Sequence, residues 1–114
     1  MKTQTIQLAA KERQVIGECL KAAASGPFFP DEEFHALLGL GREELSLLAS
    51  RWTEITMWDS QVVLAVNNAL TNLLGYPHGE MATWSKFISI TPEALRALFS
   101  KCRNDWNESG AASQ

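Results

Sequence analysis

Few side chains in this sequence can do acid–base, nucleophilic or metal chemistry. The histidines are His35 and His78, and the thiols are Cys19 and Cys102. Asp31 and His35 are four residues apart, so a helix would set them on one face, where together they could touch a cation. Zinc usually takes three or four protein ligands, and no His-x-x-x-His or Cys-x-x-Cys pair completes such a set. No metal and no cofactor is expected. The two cysteines are too few for a disulfide framework and read as buried free thiols. There is no Gly-x-Ser-x-Gly elbow and no glycine loop to cradle a phosphate. The adjacent carboxylates Glu32-Glu33 and Glu43-Glu44 fall at helix starts, where they complement the helix dipole without any catalytic role. The chain is therefore expected not to be an enzyme.

Recognition is the better-supported chemistry. Between residues 31 and 80, Asp31, Glu32, Glu33, Glu43, Glu44, Glu54, Asp59 and Glu80 face only Arg42 and Arg51, although the whole chain carries a net charge of just −3. Such a segment either forms a solvated helical surface or steers a basic partner by its field. Tryptophan and tyrosine are frequent interface anchors. Of the four tryptophans, Trp52 and Trp84 sit on apolar stripes, whereas Trp58 lies outside one, just before Asp59. Trp58 is the expected partner contact, with packing over the end of a bundle as its alternative. Tyr76 and His78, in Gly75-Tyr76-Pro77-His78-Gly79, fall on a loop and either extend that surface or simply hold the loop in place. The expected partner-binding set is Asp31, Glu43, Glu44, Trp58, Asp59, Tyr76 and His78.

The elements that position these residues are helical throughout. Ile16, Cys19, Leu20 and Ala23 recur at helical spacing from Ala10 to Ser25, and Gly26-Pro27 stops that helix. The next stretch, Phe28-Phe29-Pro30, reads as an extended corner whose rings dock on neighbouring helices. Asp31 fits an N-cap for a short second helix that buries Phe34, Leu37 and Leu38 and ends at Gly39. A third helix, Arg42 to Glu54, carries Leu45, Leu48, Ala49 and Trp52 on one stripe. A central helix runs from an Asp59 N-cap to Leu74, with Val63, Val66, Leu70, Leu73 and Leu74 inward and Gly75 as its end signal. Met81, Trp84, Phe87 and Ile88 suggest a further short helix. Thr91-Pro92-Glu93 then opens a last one, with Leu95, Leu98, Phe99, Cys102 and Trp106 on its stripe. Three asparagines in the central helix oppose its propensity. Asn67 lies on the apolar side and is expected to tie the Gly26–Pro30 corner to this helix, while Asn68 falls with Gln61 and Asn72 on the opposite side.

The 114 residues, 46% hydrophobic and 20% charged, suit one globular domain with a real core. The reading is a single all-α domain, a bundle of five to six short helices over 1–114, with 1–7 and 108–114 flexible. No signal peptide or membrane-length apolar run is visible, which points to the cytoplasm and away from a membrane.

Residues 33–54 also fit the spacing of a helix-turn-helix, with Phe34, Leu38, Gly39, Leu40, Leu45 and Leu48 in apolar and turn positions. His35 stands where close helix packing wants a small residue, and Glu43-Glu44 would repel phosphates, so nucleic acid is the minority reading. The stretches Gly26-Pro27-Phe28-Phe29-Pro30-Asp31-Glu32-Glu33-Phe34 and Ala65–His78, beginning Ala65-Val66-Asn67-Asn68, resemble those of a group of small uncharacterised bacterial helical proteins. The resemblance spans about residues 8 to 103; it implies a bacterial origin and no particular activity. The expected function is binding of another, basic protein, in the manner of an immunity protein or antitoxin covering its partner. The alternatives are a DNA-binding regulator and a small enzyme or metal protein, and assembly with further copies of the same chain is compatible with each.

Overall fold

Helix boundaries follow from local signals that can be checked one by one. The structure, a computed structural model, describes residues 8–109, with side chains from 8 to 106. Residues 1–7 and 110–114, expected as flexible ends, lie outside the described residues. Glu108 and Ser109, assigned to the tail from sequence, continue the last helix. Among the described residues there are six α-helices, two 3-10 turns and no β-strand. None of the helices is long and apolar enough to cross a membrane.

The first helix, α1, spans Ala10–Ser25, and the Glu12 carboxylate reaches back to accept from the Ala9 N–H at 2.8 Å. It buries Val15, Ile16, Cys19, Leu20 and Ala23. After the corner comes α2, Asp31–Leu38, which ends on Gly39 at φ 78°. That left-handed conformation lets the Gly39 N–H donate back to His35 O at 2.8 Å, and glycine adopts it without a steric penalty. Asp31 is not the cap expected from the sequence. Pro30 occupies that position with extended dihedrals, and the Asp31 carboxylate, freed from capping, pairs with Arg42 at 2.8 Å.

The third helix, α3, spans Arg42–Ser50, and Glu44 Oε1 accepts from the Gly41 N–H at 2.7 Å. It stops four residues short of Glu54, the expected end. The chain tightens into a 3-10 turn at Trp52–Glu54, because Trp52 is clamped to α1 from both sides. Its indole N–H donates to Arg13 O at 2.8 Å, while the Arg13 guanidinium donates to Trp52 O at 3.0 Å. Gly17 allows this approach: a Cβ there would lie 2.6 Å from Cδ1 of Trp52.

The central helix, α4, spans Ser60–Gly75, and the Asp59 carboxylate caps it by accepting from Val62 N–H at 2.9 Å. Val62, Ala65, Val66, Ala69, Leu70 and Leu73 are buried, while Val63 and Leu74, expected inward, are half-buried. The Met81–Thr83 turn leads into α5, Trp84–Phe87. There Trp84 and Ile88 are buried, but Met81 and Phe87, expected on the same stripe, are exposed. A single-turn element cannot turn four apolar residues to one side. Last, α6 spans Pro92–Ser109, with Thr91 Oγ1 accepting from Ala94 N–H at 3.1 Å. Leu95, Leu98, Phe99, Cys102 and Trp106 are buried as its periodicity implies.

Packing is organised on α1 and α4. Helix α3 lies along α1, α2 and α6 pack on α4, and α4 itself packs on α1. The Cα radius of gyration, 13.2 Å, matches the ~13 Å expected of a compact chain of about 100 residues.

Candidate functional site

Most of the residues that could serve recognition are committed to holding the fold. Trp58, expected at the surface, is 1% exposed. Its ring meets Trp52 at 5.4 Å and Trp106 at 6.2 Å between centroids, so it joins the irregular connection before α4 to both α6 and the Trp52 clamp. Asp59 is the cap of α4, and Glu44 is occupied in part by the Gly41 N–H. Tyr76 lays its ring against Phe29 at 5.7 Å, and its hydroxyl donates to Glu33 at 3.2 Å. Burial, and then the neighbouring Glu33 charge, push that phenol above its ordinary pKa. His78 holds the loop. The Glu80 N–H donates to Nδ1 at 3.0 Å, so the ring proton sits on Nε2 and is given to Leu73 O at 3.1 Å. Its ring also meets Phe28 edge-on at 4.9 Å.

Arg42 is a structural hub that sequence reasoning passed over. Its guanidinium donates to Ala24 O at 2.7 Å, Phe29 O at 2.9 Å and Asp31 at 3.1 Å, and stacks over Phe34 at 4.2 Å. One side chain thereby joins the end of α1, the Phe28-Phe29 corner and the start of α2 to the start of α3. The asparagines reverse their expected roles. Asn68 donates to Leu38 O at 2.8 Å and Asn72 to Leu37 O at 2.9 Å, while Asn67 donates only to the Asn68 side chain. The tie is to the last carbonyls of α2, which have no helical partner of their own, and not to the Gly26–Pro30 corner. The signal was present in the sequence, since Asn68 and Asn72 are spaced i, i+4 on one face.

The thiols are buried and free. Burial drives both pKa values up, that of Cys102 to about 12 with help from the nearby Asp105 and Glu12 charges. A thiol held protonated is a poor nucleophile. Among the described residues, no three His, Cys, Asp or Glu side chains converge as a metal site would require.

What remains available is a groove between α3 and α4. Both helices pack on α1 and hardly touch each other, leaving an open cleft of about 290 Å³. Its apolar surface is Leu47, Leu48 and Ile55, and its rim is Glu44, Arg51, Glu54 and Gln61. Leu47 is 59% exposed, and Leu64, one turn beyond Gln61 on α4, is 45% exposed. Glu43 stands exposed on the first turn of α3. Arg51 meets Glu54 only loosely, at 3.8 Å with both side chains in solvent, a geometry that neutralises little. The groove is chemically an exposed leucine surface inside an acidic rim. Of the expected partner-binding residues, only Glu44 lines it, with Glu43 next to it in sequence; Tyr76 and His78 pack on the Phe28-Phe29 corner instead. No known protein family, curated protein or solved structure matches this chain.

Proposed function

We propose that this chain is a non-catalytic protein-binding domain whose partner presents a basic, partly apolar surface, as the target of an immunity protein or antitoxin would. The observation that carries the reading is the exposed Leu47 lining one groove with the carboxylates Glu44 of α3 and Glu54 of the turn that follows it. Contiguous apolar surface rimmed by charge marks interaction sites, and the rim's sign selects the partner's. Capture from the native host with the wild-type chain, alongside a Glu43→Lys/Glu54→Lys variant, tests it. The expected result is a protein retained at low salt by the wild type, released as salt rises, and lost from the variant. Failure to find any protein that discriminates the two overturns the reading.

A second reading, a helix-turn-helix DNA-binding regulator over residues 33–54, draws support from α2 and α3 being joined through Gly39 in the left-handed conformation. Two observations weigh on the other side. Helix α2 packs on α4 and α3 on α1, and α3 opens with Glu43 and Glu44, where phosphates would have to approach. Titration of duplex DNA at low salt decides it, since even non-specific binding would appear there.

A further inference from the structure

We propose that the α3–α4 groove receives a single amphipathic helix of the partner, with aliphatic side chains set against Leu47, Leu48 and Ile55 and Lys or Arg residues facing Glu44 and Glu54. This rests on the protein-binding reading and specifies its ligand. One wall of the groove is α3 with the Arg51–Ile55 segment that follows it, and the other is Gln61 of α4; both helices pack on α1 and hardly touch one another. A third helix laid over that gap would complete the packing, which is the helix-in-groove mode of recognition.

The dimensions agree with insertion of side chains rather than burial of a compact ligand. A volume of about 290 Å³ lies at the bottom of the roughly 300–1,000 Å³ range of small-molecule pockets. Anchors entering it would meet Leu48 and Ile55, which are half-buried and already packed against the core. A partner helix contributes such anchors at i, i+3 or i+4, and i+7. The rim sets the sign of its flanks: Glu44 and Glu54 line the groove against the single guanidinium of Arg51, and Glu43 stands exposed one residue before Glu44, four before Leu47 on α3.

Three other grooves lack this combination; the one between α1 and α3 is lined by Lys21, small alanines and serines, with no carboxylate and no leucine. The one between α1 and the Trp52 turn mixes Arg13 and Lys21 with Glu18, and Arg13 and Glu18 are held by Trp52 O and Ser89. The one between α1 and α6 is bridged by the Lys101–Glu12 ion pair at 2.8 Å. None of these sets carboxylates beside an exposed leucine.

The probe is a synthetic helical peptide of about 14 residues, roughly four turns, with Leu on one face and Lys elsewhere. It is titrated into the isotope-labelled full chain and followed through backbone amide shifts. A peptide of the same composition in scrambled order and a Leu/Glu peptide are the controls. Binding should perturb residues 43–64 and spare the Tyr76–Glu80 loop, and neither control should bind. Leu47→Arg and Glu54→Lys, both at exposed positions and checked for unchanged thermal unfolding, should each weaken binding by about tenfold or more.

Shifts centred elsewhere, equal binding of the scrambled peptide, or unaltered affinity in both variants would overturn the proposal. Concentration-dependent shifts of the same residues without peptide would also overturn it, by assigning the groove to a second copy of the chain. If a captured host protein is not displaced by the peptide, the helix proposal fails while the protein-binding reading stands. If no host protein is captured, the broader reading fails first.

Discussion

The side-chain amide of Asn68 donates to the main-chain carbonyl of Leu38 at 2.8 Å, across 30 residues of sequence. One turn later Asn72 does the same for Leu37 at 2.9 Å. The C-terminus of α2 is thus completed by side chains of α4, and Gly39 is pressed so close that a Cβ would sit 2.9 Å from the Asn68 amide nitrogen. Replacing Asn68 by Ala should cost about 1–3 kcal/mol, because a half-buried carbonyl loses its donor. Urea unfolding measures it. Asn67→Ala is the matched control, since Asn67 reaches only its neighbour's side chain, and should cost clearly less.

Arg42 makes its contacts through the fork of a guanidinium, reaching two carbonyls and a carboxylate at once. A lysine ammonium can satisfy one or two of these but not the set. Arg42→Lys is expected to destabilise by about 1–3 kcal/mol, and Asp31→Asn by much less because that carboxylate is 89% exposed. Comparing the two variants by thermal unfolding separates the carbonyl bonds from the ion pair; equal effects would contradict this assignment.

At Gly17 the limit is steric. Alanine would favour the helix by propensity, up to about 1 kcal/mol. Its Cβ, however, would fall 2.6 Å from the Trp52 indole, and overpacking of this kind costs about 1–3 kcal/mol. The net expectation for Gly17→Ala is a loss of stability, with a shift in tryptophan fluorescence as Trp52 moves. A gain in stability would show that the α1–Trp52 contact yields freely.

The thiols give a pH signature on the alkaline side. Burial raises their pKa in the folded state, so the stabilisation from keeping them protonated is complete below the ordinary thiol value. It is lost as pH rises toward the folded ones, about 12 for Cys102. At neutral pH an aromatic disulfide reagent should react with the folded chain about a hundredfold or more slowly than with the unfolded one, limited by opening of the fold. Rapid stoichiometric reaction of the native protein would refute it.

Glu18 gives the opposite limb. Partial burial opposes its ionisation, but the Ser89 N–H at 2.9 Å and the Ser89 hydroxyl at 2.8 Å outweigh that and hold its pKa below the ordinary value. A depressed folded pKa stabilises above the unfolded value and ceases to do so as pH falls through the folded one. Glu18→Gln should therefore flatten the loss of stability on acidification, visible as converging unfolding midpoints of variant and wild type at low pH.

Helix existence was legible in the sequence wherever a long apolar period coincided with a cap. Ala10–Ser25 and the Asp59-capped α4 were readable for that reason, as was the Thr91-Pro92-Glu93 start of α6. The αL glycine ending α2 also announces itself locally. What could not be read were features set by partners distant in the chain. The early end of α3 depends on Arg13 gripping Trp52, 39 residues away. The burial of Trp58 depends on Trp52 and Trp106 converging. The roles of Asn67 and Asn68 exchange because α2 ends beneath one of them and not the other. Local propensity acts over a turn or two, so it specifies the helices and most of their faces. Which polar groups are consumed internally, and which remain for a partner, is set only when the helices meet, because a buried carbonyl must find its donor wherever packing has placed one. The groove carrying Leu47, Glu44 and Glu54 is of the second kind: every residue in it was visible, but the gap between α3 and α4 exists because both pack on α1.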